Sequence, residues 1–121
     1  GPAATSSFDP YHSELNYASL PADTQMTLIT LDIPAGTYMV TAKANLTSNR
    51  AGGSNYMNCA IWFDETSAVD EGRVDLDFNE TANVSMAAVA ELSDKAELRC
   101  TSTDGAGNAN NLKLIAIPVQ S

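Results

Sequence analysis

The sequence predicts an all-β protein built as an antiparallel sandwich or barrel. Three observations predict it. Apolar residues recur with period two in one run after another, as half-buried strands require. Clusters of Gly, Asn and Asp divide the runs at intervals of about 10–18 residues. No stretch keeps the i, i+3, i+4, i+7 apolar stripe of a helix.

Gly1-Pro2 reads as a tag remnant, since cleavage of an affinity tag commonly leaves that pair, and is set aside. Residues 3–23 read as an N-terminal arm with a short strand around Glu14–Leu20. The sandwich is expected over residues 24–121. Its first run, Met26–Ile33, is apolar but changes phase between Leu28 and Ile29, the mark of a bulge or of burial on both faces. Pro34-Ala35-Gly36 then turns the chain. Tyr38, Val40, Ala42, Ala44 and Leu46 form the next inward row, and Met57, Cys59, Ile61 and Phe63 another. Val74, Leu76 and Phe78 alternate most cleanly with acids and Arg73. Val84 to Leu98 holds several helix formers, yet Val84, Met86 and Val89 make no stripe with Leu92. It reads as two strands joined at Ser93-Asp94-Lys95. Leu98 and Cys100 mark the second of these, and Leu112–Val119 is a nearly continuous apolar close.

Composition narrows the function. The 121 residues suit one domain, and a 44% hydrophobic, 17% charged content is that of a foldable chain. Fifteen acids against six bases give a net charge of −9, which argues against a nucleic-acid partner. No apolar run approaches the ~18 residues of a membrane-spanning helix, so no membrane insertion is expected. The single histidine, His12, lies in the weakly patterned arm, where no nucleophile–imidazole pair is in prospect. The chain is not read as an enzyme.

Four features remain as candidate sites. Cys59 and Cys100 both fall on inward rows of different strands. Joined, they close a loop of about 40 residues and imply an oxidising, extracellular setting. Unjoined, they are small buried hydrophobes. The disulfide is the expectation. Trp62 and Tyr56 share the face opposite Cys59, a ligand platform for a sugar ring or a protein if that face is open. Asp64, Asp70, Asp75 and Asp77, with Glu65 and Glu71, gather enough carboxylate oxygen for Ca²⁺, although the spacing is not that of an EF-hand. A solvated strand and loop is the favoured account of them. A glycosidase pair has no separation set by the sequence. Asn45-Leu46-Thr47, Asn79-Glu80-Thr81 and Asn83-Val84-Ser85 are N-glycosylation sequons.

Three segments resemble one family. Leu31-Asp32-Ile33-Pro34-Ala35-Gly36-Thr37-Tyr38, continuing to Lys43, resembles the opening of C1q/TNF-like jelly-roll domains, in which a Gly turn leads a Tyr-headed strand into the core. Cys59-Ala60-Ile61-Trp62 and Ala96-Glu97-Leu98-Arg99-Cys100-Thr101 resemble the cysteine-bearing strands of bacterial, especially actinobacterial, and phage relatives. Leu112–Val119 is similar to their apolar last strand. The resemblance covers residues 24–120. It implies an antiparallel jelly-roll sandwich and a non-catalytic binding or attachment domain, homotrimeric, extracellular or on a virion surface such as a phage fibre. It also implies a cell-surface glycan or protein as receptor. It carries over no catalytic residues, no cofactor and no matching calcium motif. The alternatives are a monomeric carbohydrate-binding module using Trp62 and Tyr56, and a structural capsid-decoration subunit.

Overall fold

A computed structural model describes residues 10–63 and 68–119. The described residues form eight strands: β1 (Tyr11–Leu20), β2 (Thr24–Asp32), β3 (Gly36–Ser48), β4 (Asn55–Trp62), β5 (Ala68–Leu76), β6 (Thr81–Leu92), β7 (Lys95–Ser102) and β8 (Gly107–Pro118). They make two four-stranded antiparallel sheets, β1-β8-β3-β6 and β2-β7-β4-β5. The pairing is nested. β4 and β5 form the innermost hairpin, and β3–β6, β2–β7 and β1–β8 follow outward. Such a double ribbon, rolled so that alternate pairs fall in opposite layers, is a jelly roll. β3–β8 and β4–β7 pairing completes each layer.

The inward rows meet between the layers. Val40, Ala44, Leu46, Met57, Cys59, Ile61, Leu98, Leu112 and Leu114 are wholly buried. Burying a large aliphatic side chain favours folding by about 1.5–3 kcal/mol, so this row-on-row contact is the main stabilising element. At Gly72, strands β5 and β6 approach too closely for a side chain. A Cβ on Gly72 would stand 2.9 Å from Val84 Cβ, which lets the β5 and β6 edges close one flank of the sandwich. Asp70 then seals that flank, its carboxylate accepting the Ala87 N–H at 2.9 Å.

Where period two slips, the ladders carry an extra residue. The phase change at Leu28 is a register shift between Thr27 and Ile29 in the β2–β7 ladder. Ile29 and Leu31 are thereby turned into the core. β8 has a second slip that the apolar tail concealed. Its register against β3 shifts between Lys43 and Asn45, beside Asn111, whose φ is 52°. Ala109 and Leu112 can therefore both face inward.

Two expectations need correction. The short strand near Glu14–Leu20 is a ten-residue strand from Tyr11, fully paired with β8, so this part of the presumed arm belongs to the sandwich. Its pattern is weak because it is an edge strand with small inward residues, Ser13 and Ala18, and because it shares the β8 phase change near Asn16. Phe78 is not a core residue. β5 stops at Leu76, and Phe78 stands 52% exposed in the turn that precedes Asn79, whose φ is 65°.

Tyr38 anchors the turn before β3. Its hydroxyl donates to the Pro34 carbonyl at 2.7 Å, and its ring meets Tyr11 edge-on at 6.1 Å. Burial, and then the neighbouring Tyr11 phenol, raise the Tyr38 pKa above its ordinary value. A group that holds its proton more tightly when folded gives stability below the unfolded pKa, about 10, and loses it as pH rises further. Tyr38→Phe is expected to cost about 0.5–1.5 kcal/mol at neutral pH by orphaning the carbonyl. It should also flatten the loss of stability above pH ~10. Denaturant titrations at neutral and alkaline pH, run on both proteins, check the two effects together.

Candidate functional site: the outer face of the β1-β8-β3-β6 sheet

Register assigns the outward residues of this sheet to rows that run across it. Val89, Met39 and Ile117 form one row on β6, β3 and β8. Val89 is 65% and Met39 40% exposed. The next row is Ala87, Thr41, Ile115 and His12. Then come Ser85, Lys43, Lys113 and Glu14. Beyond the β8 bulge lie Asn83, Asn45, Asn110 and Tyr17, followed by Thr81, Thr47, Asn108 and Ser19. The face thus grades from apolar, through a pair of cations, to uncharged amides and hydroxyls. Among the acids, Glu14 stands in these rows and exposed Glu91, opposite Thr37, in the row beyond the apolar one, although acids outnumber bases in the chain.

The polar end is tied together. Asn83 Nδ2 donates to Asn45 Oδ1 at 3.0 Å, and Ser85 Oγ donates to Asn83 Oδ1 at 2.9 Å. Asn110 Nδ2 donates to Asn108 Oδ1 at 2.8 Å. Thr47 and Thr81 share a hydroxyl bond of 2.6 Å. Two of the three sequon asparagines, Asn45 and Asn83, are therefore partners of one another, whereas Asn79 lies on an exposed turn, its backbone N–H donating to the Ser48 carbonyl at 2.9 Å. Tyr17 projects from β1 with 55% exposure.

Elsewhere the sequence-predicted residues fall as follows. Cys59 and Cys100 are direct cross-strand partners on β4 and β7, joined as a disulfide with Cα atoms 4.0 Å apart. They lie within one sheet and are buried under the other. Trp62 and Tyr56 share the outer face of the β2-β7-β4-β5 sheet but sit near its opposite ends. Six residues of strand separate them, roughly 20 Å at ~3.3 Å per residue. They form no joint platform. The Arg99 guanidinium lies over the Trp62 ring, 4.4 Å from its centroid, and is held there by Glu97. Tyr56 donates its backbone N–H to Asp104 at 3.1 Å.

The acids are dispersed by the strand period. Asp70 is half-buried on the inward side of β5 and committed to Ala87, while Asp75 points outward beside Tyr56. Asp77 lies past the strand end and accepts from Ser54 Oγ at 3.2 Å. Glu71 is paired with Arg73, whose guanidinium holds the carboxyl below its usual range. Asp64 lies outside the described residues. Asp70, Asp75 and Asp77 are not brought together, and no metal-ligating cluster occurs among the described residues. His12 is exposed on β1, opposite Ile115.

Sequence reasoning had no means of finding the graded face, because rows exist only once strand order and register are known. Its one legible signal was Met39 and Val89 falling out of phase with their inward neighbours.

No protein-family model matches the sequence, and no curated protein matches it. Solved structures do match in shape. An Eiger TNF from S. frugiperda superposes with a TM-score of 0.65 at 9% identity over 94% of both chains. A chain of infectious bursal disease virus, Gx strain, gives 0.57 at 12% identity, covering 93% of this chain and 32% of the viral one. A subunit of the disulfide-linked pili of Bacillus endospore appendages gives 0.51 at 10% identity over 93% and 91%. At these identities the likeness is one of fold: the chain is a TNF-like jelly roll.

Proposed function

We propose that the chain is a non-catalytic attachment module that self-associates as a homotrimer and engages a cell-surface glycan or protein, outside the cell or on a virion. One observation carries the reading. The Val89–Met39–Ile117 row is an unpartnered apolar strip on a sheet face whose described acids are Glu14 and Glu91 alone. An exposed apolar strip with a polar rim is the mark of a contact surface. In a chain of net charge −9, a contact surface must also avoid like-charge repulsion, and the strip itself carries no charged residue. The disulfide supports an oxidising compartment. The similar fold of a pilus chain and of a virus chain supports a place in surface assemblies.

Met39→Asp combined with Val89→Asp tests it. Both side chains are exposed, so the fold should persist and circular dichroism should be unchanged. Desolvating two carboxylates at the contact is expected to weaken association by at least about 100-fold, from ~3 kcal/mol or more. Light scattering at micromolar concentration should then report single chains. An unchanged oligomer mass would reject this row as the contact.

A further inference from the structure

The row next to the apolar strips contains an arrangement that folding alone does not favour. Lys43 and Lys113 are direct cross-strand partners on β3 and β8. Like charges placed directly opposite destabilise a sheet. The chain has only six basic residues and fifteen acids, yet it sets two of the six against each other. Lys113 is partly compensated by Glu14 on β1, at 3.6 Å. On the other side Lys43 faces Ser85, a neutral residue. A depression of about 450 Å³ opens here, lined by Thr41, Lys43, Ser85, Ala87, Lys113 and Ile115. That volume falls in the range of small-ligand sites, roughly 300–1,000 Å³. Its cations and hydroxyls stand beside an apolar wall. One strand step away lie the Asn83–Asn45–Asn110 amides and the exposed ring of Tyr17.

We infer that this depression binds a carboxylate-bearing sugar, such as a uronic acid residue of an acidic oligosaccharide. The Lys43 and Lys113 ammonium groups take the carboxylate. The Thr41 and Ser85 hydroxyls are placed for the ring oxygens, and Ala87 and Ile115 for its C–H face. The amide row and Tyr17 extend the site along the face, where a neighbouring sugar unit meets hydrogen-bonding groups and an aromatic ring. The ligand's carboxylate relieves the lysine repulsion that the empty face carries. The net negative charge of the chain does not forbid this. The acid-rich β5 strand belongs to the opposite sheet; its Asp70 carboxylate reaches this edge but is taken up by the Ala87 N–H at 2.9 Å, and charges farther than a Debye length of about 8 Å are screened at physiological salt. This inference specifies the receptor of the attachment reading and rests on it only there, since the site is complete within one chain.

The test is a heteronuclear NMR titration of the intact chain with a tetrasaccharide of galacturonic acid. Parallel titrations use the neutral galactose tetrasaccharide and sodium acetate. The acidic tetrasaccharide is expected to shift the amides of Lys43, Ser85 and Lys113 and to bind at least tenfold more tightly than either control. Lys43→Gln should reduce its affinity at least tenfold while the spectrum stays dispersed. Binding of acetate as tight as that of the tetrasaccharide would overturn sugar recognition. Equal binding of the neutral tetrasaccharide, an unaffected Lys43→Gln variant, or no shifts at these residues would overturn the site. The Met39→Asp, Val89→Asp protein is titrated in parallel. It should show the same shifts as a single chain, so that failure of self-association and failure of sugar binding are read separately.

Discussion

Removing the Cys59–Cys100 disulfide by substituting both residues with alanine is expected to destabilise the protein by about 2–4 kcal/mol. The bond joins residues 41 apart in sequence, and without it the unfolded chain regains the freedom of that loop. Packing adds to the loss. Both side chains are at most 1% exposed, between Met57, Ile61 and Leu98, so alanine leaves unfilled space at the centre of the sandwich. Guanidinium denaturation of the oxidised wild type and the double variant measures the difference. A gap under about 0.5 kcal/mol would mean that the sheet pairing already restrains the unfolded chain.

The second large effect is expected at Asn55. It is fully buried at the start of β4, where a polar side chain stands only if its bonds are made. Its amide nitrogen donates to Ser102 Oγ at 2.9 Å and lies 3.2 and 3.3 Å from the Gly105 and Ala106 carbonyls. Its oxygen accepts the Asp104 N–H at 3.1 Å. One side chain thus ties the β7–β8 turn to β4. Asn55→Ala leaves the Asp104 N–H without its partner, removes the amide bonds to Ser102, Gly105 and Ala106, and opens space in a buried position, and a loss of roughly 2–4 kcal/mol is expected. Ser54→Ala, beside it but exposed, should change stability by less than about 0.5 kcal/mol. Urea titration of the two variants separates loss of the network from a general intolerance of the loop.

Much of the architecture could be read from residue order, because strand period and side-chain facing are the same fact. Cys59 in phase with Met57 and Ile61, and Cys100 in phase with Leu98, already placed both sulfurs inside. The division of Val84–Leu98 at Ser93-Asp94-Lys95 held because the helical stripe was missing, and β6 ends at Leu92 with β7 beginning at Lys95. Leu28 betrayed its bulge by changing phase. Where the reading failed, tertiary context decided. Phe78 continued the alternation of Val74 and Leu76, but the turn at Asn79 removed it from the ladder. β1 lacked a strong pattern because an edge strand needs only half a buried face. Asn111 disguised its bulge within an apolar tail. Asn55 looked like the last residue of a polar loop, since burial of a turn-forming residue leaves no mark on composition. The candidate face was least legible of all. Val89, Met39 and Ile117 are distant in sequence, as are Lys43 and Lys113, and only the pairing of β3 with both β6 and β8 makes them neighbours. Trp62 and Tyr56, by contrast, share a face as the period required. That a neighbouring strand would lay Arg99 over the Trp62 ring was beyond sequence.

Self-association as proposed requires that the Val89–Met39–Ile117 strip be covered by another copy of the chain. Native mass spectrometry of the unmodified protein at micromolar concentration asks this directly. The account predicts a species of about 38 kDa, three times the 12.8 kDa chain. A single-chain mass across the whole concentration range would contradict it, leaving the apolar strip without its proposed partner.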